Sequence, residues 1–281
     1  MGRTIADMYL DFYGLAEPPF HVTPDPRFMC WTAHHRDGLD HLLYGIRERK
    51  GFIEITGEVG TGKTTLCRAC LTELEEEVDT ALVLNPLLSP LELLQAIVHD
   101  FGLEPLVDHN SWAHVQRLNQ YLLEQNERGR NVVVFIDEAQ NLSAAAMEQV
   151  RLLSNLETDR EKLVQIVLCG QPELSDRLRD PTLRQLRQRI AVRYRLGPLD
   201  EKDTARYIGH RLGVAAQPGR APGVRFSESA LWMIYAHAKG CPRLINAVAD
   251  HALLAGYVEG RRLINDHCVR RGLAQLEGEA S

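Results

Sequence analysis

The sequence predicts an α/β chain, a parallel-sheet domain followed by a small helical domain. Three observations carry this. A β-rich run at 52–56 breaks into a glycine loop ending in Lys63-Thr64; apolar runs of strand length alternate with helical stretches up to residue 196; beyond Gly197-Pro198 helical patterns take over. Strands alternating with helices imply a parallel sheet covered on both faces.

The first 31 residues hold six aromatics (Tyr9, Phe12, Tyr13, Phe20, Phe28, Trp31) and four prolines. Such a segment is too aromatic to be disordered and too proline-rich to be one helix. Residues 1–31 are therefore expected to form an arm packed on the core. A helix follows, with Leu39, Leu42, Leu43 and Ile46 on one face. Strands are expected at 52–56, 80–84, 132–136, 163–169 and 190–196. Helices at about 90–101 and 111–128 separate the second strand from the third, and one at 143–157 separates the third from the fourth. The boundary near 198 divides a nucleotide-binding domain, 32–198, from a helical domain, 199–281. The latter has helices at 200–212, 227–238, 242–258 and 263–275, with a Pro- and Gly-rich break at 217–223.

A chain of 281 residues that is 44% hydrophobic has ample material for a core. No apolar run approaches the roughly 18 residues of a membrane span, and the N-terminus lacks a signal-peptide apolar region, which points to a soluble, cytoplasmic protein. The net charge of −6 disfavours a surface that grips nucleic acid throughout. Six cysteines do not form a disulfide framework by spacing. The pair Cys67-x-x-Cys70 has no second Cys/His pair at finger-like spacing, so buried thiols in a reducing compartment are expected.

Gly57 to Thr64 fits G-x-x-x-x-G-K-[ST], the loop that holds nucleotide phosphates. Gly57, Gly60 and Gly62 let the backbone turn and aim successive N–H groups at an anion at a helix N-terminus. Lys63 is expected to reach the β- and γ-phosphates of ATP, and the Thr64 hydroxyl to be a ligand of Mg²⁺. The nucleotide-binding set is Gly57, Glu58, Val59, Gly60, Thr61, Gly62, Lys63, Thr64 and Thr65.

The run Val132-Val133-Val134-Phe135-Ile136-Asp137-Glu138 is a buried strand ending in two carboxylates. Adjacent acids there need a reason, because unpaired buried charge is costly. At the C-terminal end of a parallel strand they face the ligand crevice. Asp137 is expected to hold Mg²⁺, directly or through water, and Glu138 to polarise the attacking water.

The segment Gly240-Cys241-Pro242-Arg243-Leu244-Ile245-Asn246 resembles the sensor 2 motif of AAA+ ATPases. That likeness implies that Arg243 reaches the γ-phosphate from a helical lid. It also implies an arginine finger near the fifth strand. Arg189 stands there, with Arg187 and Arg184 in reserve, and a finger acting on a neighbouring subunit implies a homo-oligomer. Gln171 stands at the sensor 1 position, where Asn or Thr is more usual.

These motifs occur together with Met8-Tyr9-Leu10-Asp11-Phe12-Tyr13-Gly14-Leu15, Pro18-Pro19-Phe20, Thr23-Pro24-Asp25-Pro26-Arg27-Phe28, Asp-Glu-Ala-Gln at 137–140 and Gly-Gln-Pro-Glu-Leu at 170–174. As a set they resemble the ExeA-type AAA+ ATPases of the general secretion pathway, from about residue 8 to 275. The resemblance implies a five-stranded sheet of order 5-1-4-3-2 with a helical lid. It also implies ATP hydrolysis with Mg²⁺ that serves assembly of an envelope secretion complex, and an inner-membrane partner protein at the cytoplasmic face. Longer members continue into a transmembrane helix and a periplasmic domain, so this chain is expected to be a short member or a cytoplasmic portion. A DNA-binding transposition regulator is the alternative, kept open by the seven arginines between 177 and 195. The acidic balance weighs against DNA, and Glu138 weighs against a non-hydrolysing switch.

Overall fold

A computed structural model of the chain describes residues 5–21, 25–75, 77–84, 86–104, 111–158 and 161–278. Thr23 and Pro24 of the arm motif lie outside the described residues. The chain divides into two compact units. One is the sheet unit, 33–58 with 63–196. The other is a helical unit in which 197–281 groups with the N-terminal 32 residues and with Val59–Gly62.

The sheet unit holds helix α2 (Ala33–Arg47), strand β1 (Phe52–Gly57), α3 (Lys63–Leu74), β2 (Val78–Val83), α4 (Pro90–Asp100), α5 (Ser111–Glu127), β3 (Asn131–Ile136), α6 (Ala144–Leu153), β4 (Gln165–Gly170), the short helices α7 (Pro172–Leu178) and α8 (Arg184–Arg189), and β5 (Ile190–Leu196). The strands lie in the order β2-β3-β4-β1-β5, all parallel. This is the order that the AAA+ resemblance implied. β1 and β4 are buried at every position, as inner strands of a parallel sheet covered on both faces. β5 is one of the two edge strands, and its Ile-Ala-Val-Arg-Tyr-Arg-Leu alternates because one face is uncovered. The larger core forms where Leu93, Ile97, Leu118, Leu122, Met147 and Val150 pack on Val132, Val134, Ile136 and Ile166.

Chain chemistry sets the helix ends. Ser89 caps α4 through a reciprocal box with Glu92, at 3.3 and 2.8 Å, and Pro90 occupies the first turn. α6 is capped by Ser143 but stops at Leu153, short of the expected 157. There Glu157 and Lys162 form an isolated antiparallel bridge ahead of β4. α7 and α8 were not anticipated by periodicity.

The helical unit contains α1 (Ile5–Tyr13), α9 (Glu201–Ala215), β6 (Arg225–Phe226), α10 (Glu228–Ala238), α11 (Pro242–Val258), β7 (Leu263–Ile264) and α12 (Asp266–Leu276). The last helix starts three residues later than its pattern suggests. Leu263 and Ile264 pair in parallel with Arg225 and Phe226, and Asn265 then caps α12 by accepting from the Cys268 N–H at 3.1 Å. The arm's aromatics enter this unit's core. Tyr13 donates to the Leu253 carbonyl at 2.9 Å, and Phe12 meets Tyr257 edge-on at 5.5 Å. Arg211, 6% exposed, donates to the carbonyls of Pro19 at 2.5 Å and His21 at 2.9 Å and to Tyr207 Oη at 2.9 Å. Tyr207 in turn donates to Asn246 at 3.0 Å. A buried guanidinium thus ties the irregular arm to α9 through acceptors that the arm's non-helical backbone leaves open.

One glycine is demanded by geometry here. Gly240 has φ +76°, and a Cβ on it would stand 1.9 Å from the Leu199 carbonyl oxygen, an atom of the backbone. Gly240→Ala combines left-handed strain with a backbone clash, so a loss of ~3 kcal/mol or more is expected, lowering Tm by about 6–12 °C. Lys239→Gly, at the neighbouring left-handed residue (φ 48°), should leave Tm equal or slightly raised. Thermal denaturation of the pair checks this, and an unchanged Tm for Gly240→Ala would refute the assigned backbone.

Candidate active site

In the sheet unit, the C-terminal ends of β1, β4 and β3 lie side by side, because β4 inserts between the other two. Each end delivers polar groups to the crevice where parallel sheets take ligands. β1 supplies Gly57 and Glu58, β3 runs into Asp137 and Glu138, and β4 runs into Gln171.

Lys63 opens α3 and is 5% exposed. Its ammonium donates to the Gly57 carbonyl at 2.7 Å and to the Glu58 carbonyl at 2.9 Å. The loop's own backbone therefore satisfies the charge and keeps it inside the turn. Thr64 Oγ1 donates to Asp137 Oδ2 at 2.5 Å, linking residues 73 positions apart in sequence. Asp137 is 4% exposed; its N–H donates to the Val83 carbonyl at 2.9 Å, and its Oδ1 accepts the Glu138 N–H at 2.9 Å. Thr61 is buried, and Thr65 is half-buried in the first turn of α3.

Glu138 takes a left-handed conformation, φ 50° and ψ 35°, as the chain enters a 3-10 turn over Ala139–Asn141. A non-glycine residue there costs about 1–2 kcal/mol, the kind of strain retained where geometry matters. Its carboxylate Oε2 accepts from Gln140 Nε2 at 2.5 Å and from Gln171 Nε2 at 3.2 Å. Lys63 sits in the loop, Thr64 meets Asp137, and Gln171 meets Glu138.

Gln140 is a residue that motif reading passes over. It stands in the Asp-Glu-Ala-Gln run, and the available signal was a second amide-bearing side chain two residues past the acid. That spacing reaches back only because Glu138 is left-handed.

Arg189 is not brought to these groups within the chain. Its Nη1 donates to Ser154 Oγ and Asn155 Oδ1, each at 2.6 Å, at the end of α6. Arg184 and Arg187 are exposed on α8, and the Arg187 carbonyl accepts from Arg193 at 2.8 Å.

In the helical unit, Val59–Gly62 lies against the start of α11. Cys241 Sγ donates to the Val59 carbonyl at 3.2 Å. Gly60 has φ +79°, and a Cβ on it would stand 2.5 Å from Arg243 Cβ. The loop tip and Arg243 are thus packed at glycine-only distance, with the Arg243 side chain exposed. Gly62, at φ +96°, is the other left-handed glycine of the turn.

The described cysteines are all free thiols, five of them buried. The Cys169 thiol is pushed up by its hydrogen bond with Cys67 and by burial, which keeps it protonated. Among the described residues no three His, Cys, Asp or Glu side chains cluster as a self-sufficient metal site. No helix of the described residues is long and apolar enough to cross a membrane.

Residues 46–178 match the family described as AAA domain. The chain is 44% identical over 259 residues to general secretion pathway protein A of Aeromonas hydrophila, which takes in 92% of this chain and 46% of that protein. It therefore spans about half the length of this relative. Among solved structures, the ORC2 protein of Aeropyrum pernix in its ADPNP–ADP complexes is similar with a TM-score of 0.67, over 92% of this chain and 71% of that one, at 17% identity. Drosophila ORC bound to DNA gives 0.69 over 100% and 67%, at 14%. The Thermotoga maritima RuvB Holliday junction branch migration motor gives 0.57 over 86% and 69%, at 20%. At these identities the likeness is one of fold.

Proposed function

We propose that the chain is an AAA ATPase of the ExeA type, which hydrolyses ATP with Mg²⁺ to drive or regulate assembly of an envelope secretion complex. The observation that carries the nucleotide chemistry is the 2.5 Å contact between Thr64 and Asp137. It joins the loop's hydroxyl to a carboxylate at the end of a buried strand, two hard oxygen donors at one point. Mg²⁺ keeps several waters and takes one or two protein ligands plus phosphate oxygens, so this donor set fits it without a larger cluster. Thr64 and Asp137 would hold the ion, which when bound neutralises charge on the phosphates.

The remaining steps belong to this chain's own residues. Lys63 turns from the Gly57 and Glu58 carbonyls to the phosphates, exchanging neutral acceptors for charged ones. Glu138 polarises the attacking water, with Gln171 beside it. Arg243 contacts the γ-phosphate as sensor 2. Arg189 leaves Ser154 and Asn155 to enter a neighbouring subunit's site, where its charge matches that developing on phosphate. Loss of the γ-phosphate then releases the contacts of Lys63, Gln171 and Arg243, and the conformational change acts on an inner-membrane partner.

The DNA alternative needs a concentrated basic strip, and against it four of the seven arginines of 177–195 are already engaged within the chain. Arg177 donates to the Gln140 carbonyl, Arg179 pairs with Asp176 at 2.7 Å, Arg189 is held at Ser154 and Asn155, and Arg193 pairs with Glu54 at 3.0 Å.

One preparation tests both readings. Arg189→Ala should bind ATP normally but hydrolyse it at least ~10-fold more slowly. Mixing it with Lys63→Ala should restore part of the activity, since a mixed interface pairs an intact site with an intact finger. No rescue, with specific activity independent of protein concentration, would mean a monomeric enzyme. ATP-dependent DNA binding that falls steeply between about 50 and 200 mM salt would favour the transposition reading.

A further inference from the structure

The Glu138 carboxylate is anchored through one oxygen alone. Oε2 accepts two amide N–H groups, from Gln140 at 2.5 Å and from Gln171 at 3.2 Å, while Oε1 accepts none among the described residues. Gln140 is itself seated on three sides. Its Oε1 accepts the Gln171 backbone N–H at 3.0 Å, and its own carbonyl accepts from Arg177. Glycine at 170 leaves it room, since a Cβ there would stand 2.7 Å from Gln140 Oε1. The orientation of this amide has no alternative. A carboxylate can only accept and a backbone N–H can only donate, so the nitrogen must face Glu138 and the oxygen must face Gln171.

We infer that Gln140 is a positioning residue for hydrolysis: its amide, backed by Gln171, locks Oε2 so that Oε1 is the oxygen presented to the attacking water. The inference rests on the reading of Glu138 as the group that polarises water. An unanchored glutamate rotates about three torsions and spends most of its time off the line of attack. Fixing one oxygen confines the other, and misplacement by about 1 Å costs on the order of 100-fold in rate. The anchor also joins Glu138 to the junction of β4 and α7 through the Gln171 backbone, so the carboxylate is aimed by the sheet rather than by its own turn.

Gln140→Met keeps the side chain's length and bulk and removes both donor and acceptor. Single-turnover hydrolysis by the full chain should fall ~100-fold, with the calorimetric Kd for ATP within about twofold of wild type, a split that bulk packing would not produce. In a Glu138→Gln background the same change should slow residual hydrolysis by less than about threefold, because the group it aims is already neutral. Wild-type hydrolysis in Gln140→Met while Glu138→Gln is inactive would overturn the inference and leave the hydrolytic reading standing. A full ~100-fold additional loss in the double variant would also overturn it, since Gln140 would then act independently of Glu138. Wild-type turnover in Glu138→Gln alone would remove both.

Discussion

Lys63→Ala is expected to weaken ATP binding by about 2–5 kcal/mol, or roughly 30- to 5000-fold, the range for truncating one partner of a buried, hydrogen-bonded charge pair. The side chain is 5% exposed and its ammonium is held at 2.7 and 2.9 Å from two carbonyls of its own loop. In the free protein those carbonyls keep the charge in place. In the complex the phosphate oxygens are expected to take it over, since the glycines supply backbone N–H groups but no second side-chain cation. Alanine at the first position of α3 is a good helix former, so the variant should fold. Isothermal titration with ATP decides the matter, and an affinity equal to wild type would refute the assignment of the loop.

Glu138→Gln should separate binding from chemistry. The amide keeps the shape and the left-handed backbone at φ 50°, while the negative charge proposed to polarise water is gone. General-base groups contribute typically ~10²–10⁴-fold, so turnover should fall in that range with ATP affinity held within a few-fold. Asp137 and Thr64, whose contact at 2.5 Å does not involve the Glu138 side chain, should be undisturbed. Phosphate release measured beside calorimetric affinity tests this, and hydrolysis at the wild-type rate would show that another group orients the water.

The expected site residues divide by how local their chemistry is. Gly60, Gly62, Lys63 and Thr64 stand out in the sequence because a phosphate cradle needs left-handed glycines, a cation and a hydroxyl at fixed steps along one short stretch of backbone. Asp137 and Glu138 stand out because two charges close an otherwise apolar strand. Gln140 does not stand out, because a glutamine in a turn is unremarkable until Glu138 turns left-handed and Gly170 clears the space beside it. Arg189 is set apart from six other arginines of 177–195 only by its place before the fifth strand, which says nothing of what it touches. Its partners Ser154 and Asn155 lie more than thirty residues away, in the turn that ends α6.

The elements divide in the same way. By itself the sequence determined the alternation of five strands with helices, the glycine loop and the helical stretch after Gly197, since hydrophobic period and turn chemistry are properties of neighbouring residues. The tertiary structure decided that Leu263 and Ile264 pair with Arg225 and Phe226 instead of starting α12. A two-residue apolar run carries no period of its own, so the partner settles its conformation. It also decided that the aromatic arm enters the helical core through Arg211, because aromatic content demands burial without saying against what. The seat of β4 between β1 and β3 was implied by the family resemblance and not by hydrophobic period. Strands buried on both faces look alike in sequence, so periodicity could not rank their neighbours, and only side-chain packing across the sheet brings Thr64, Asp137, Glu138 and Gln171 to one edge.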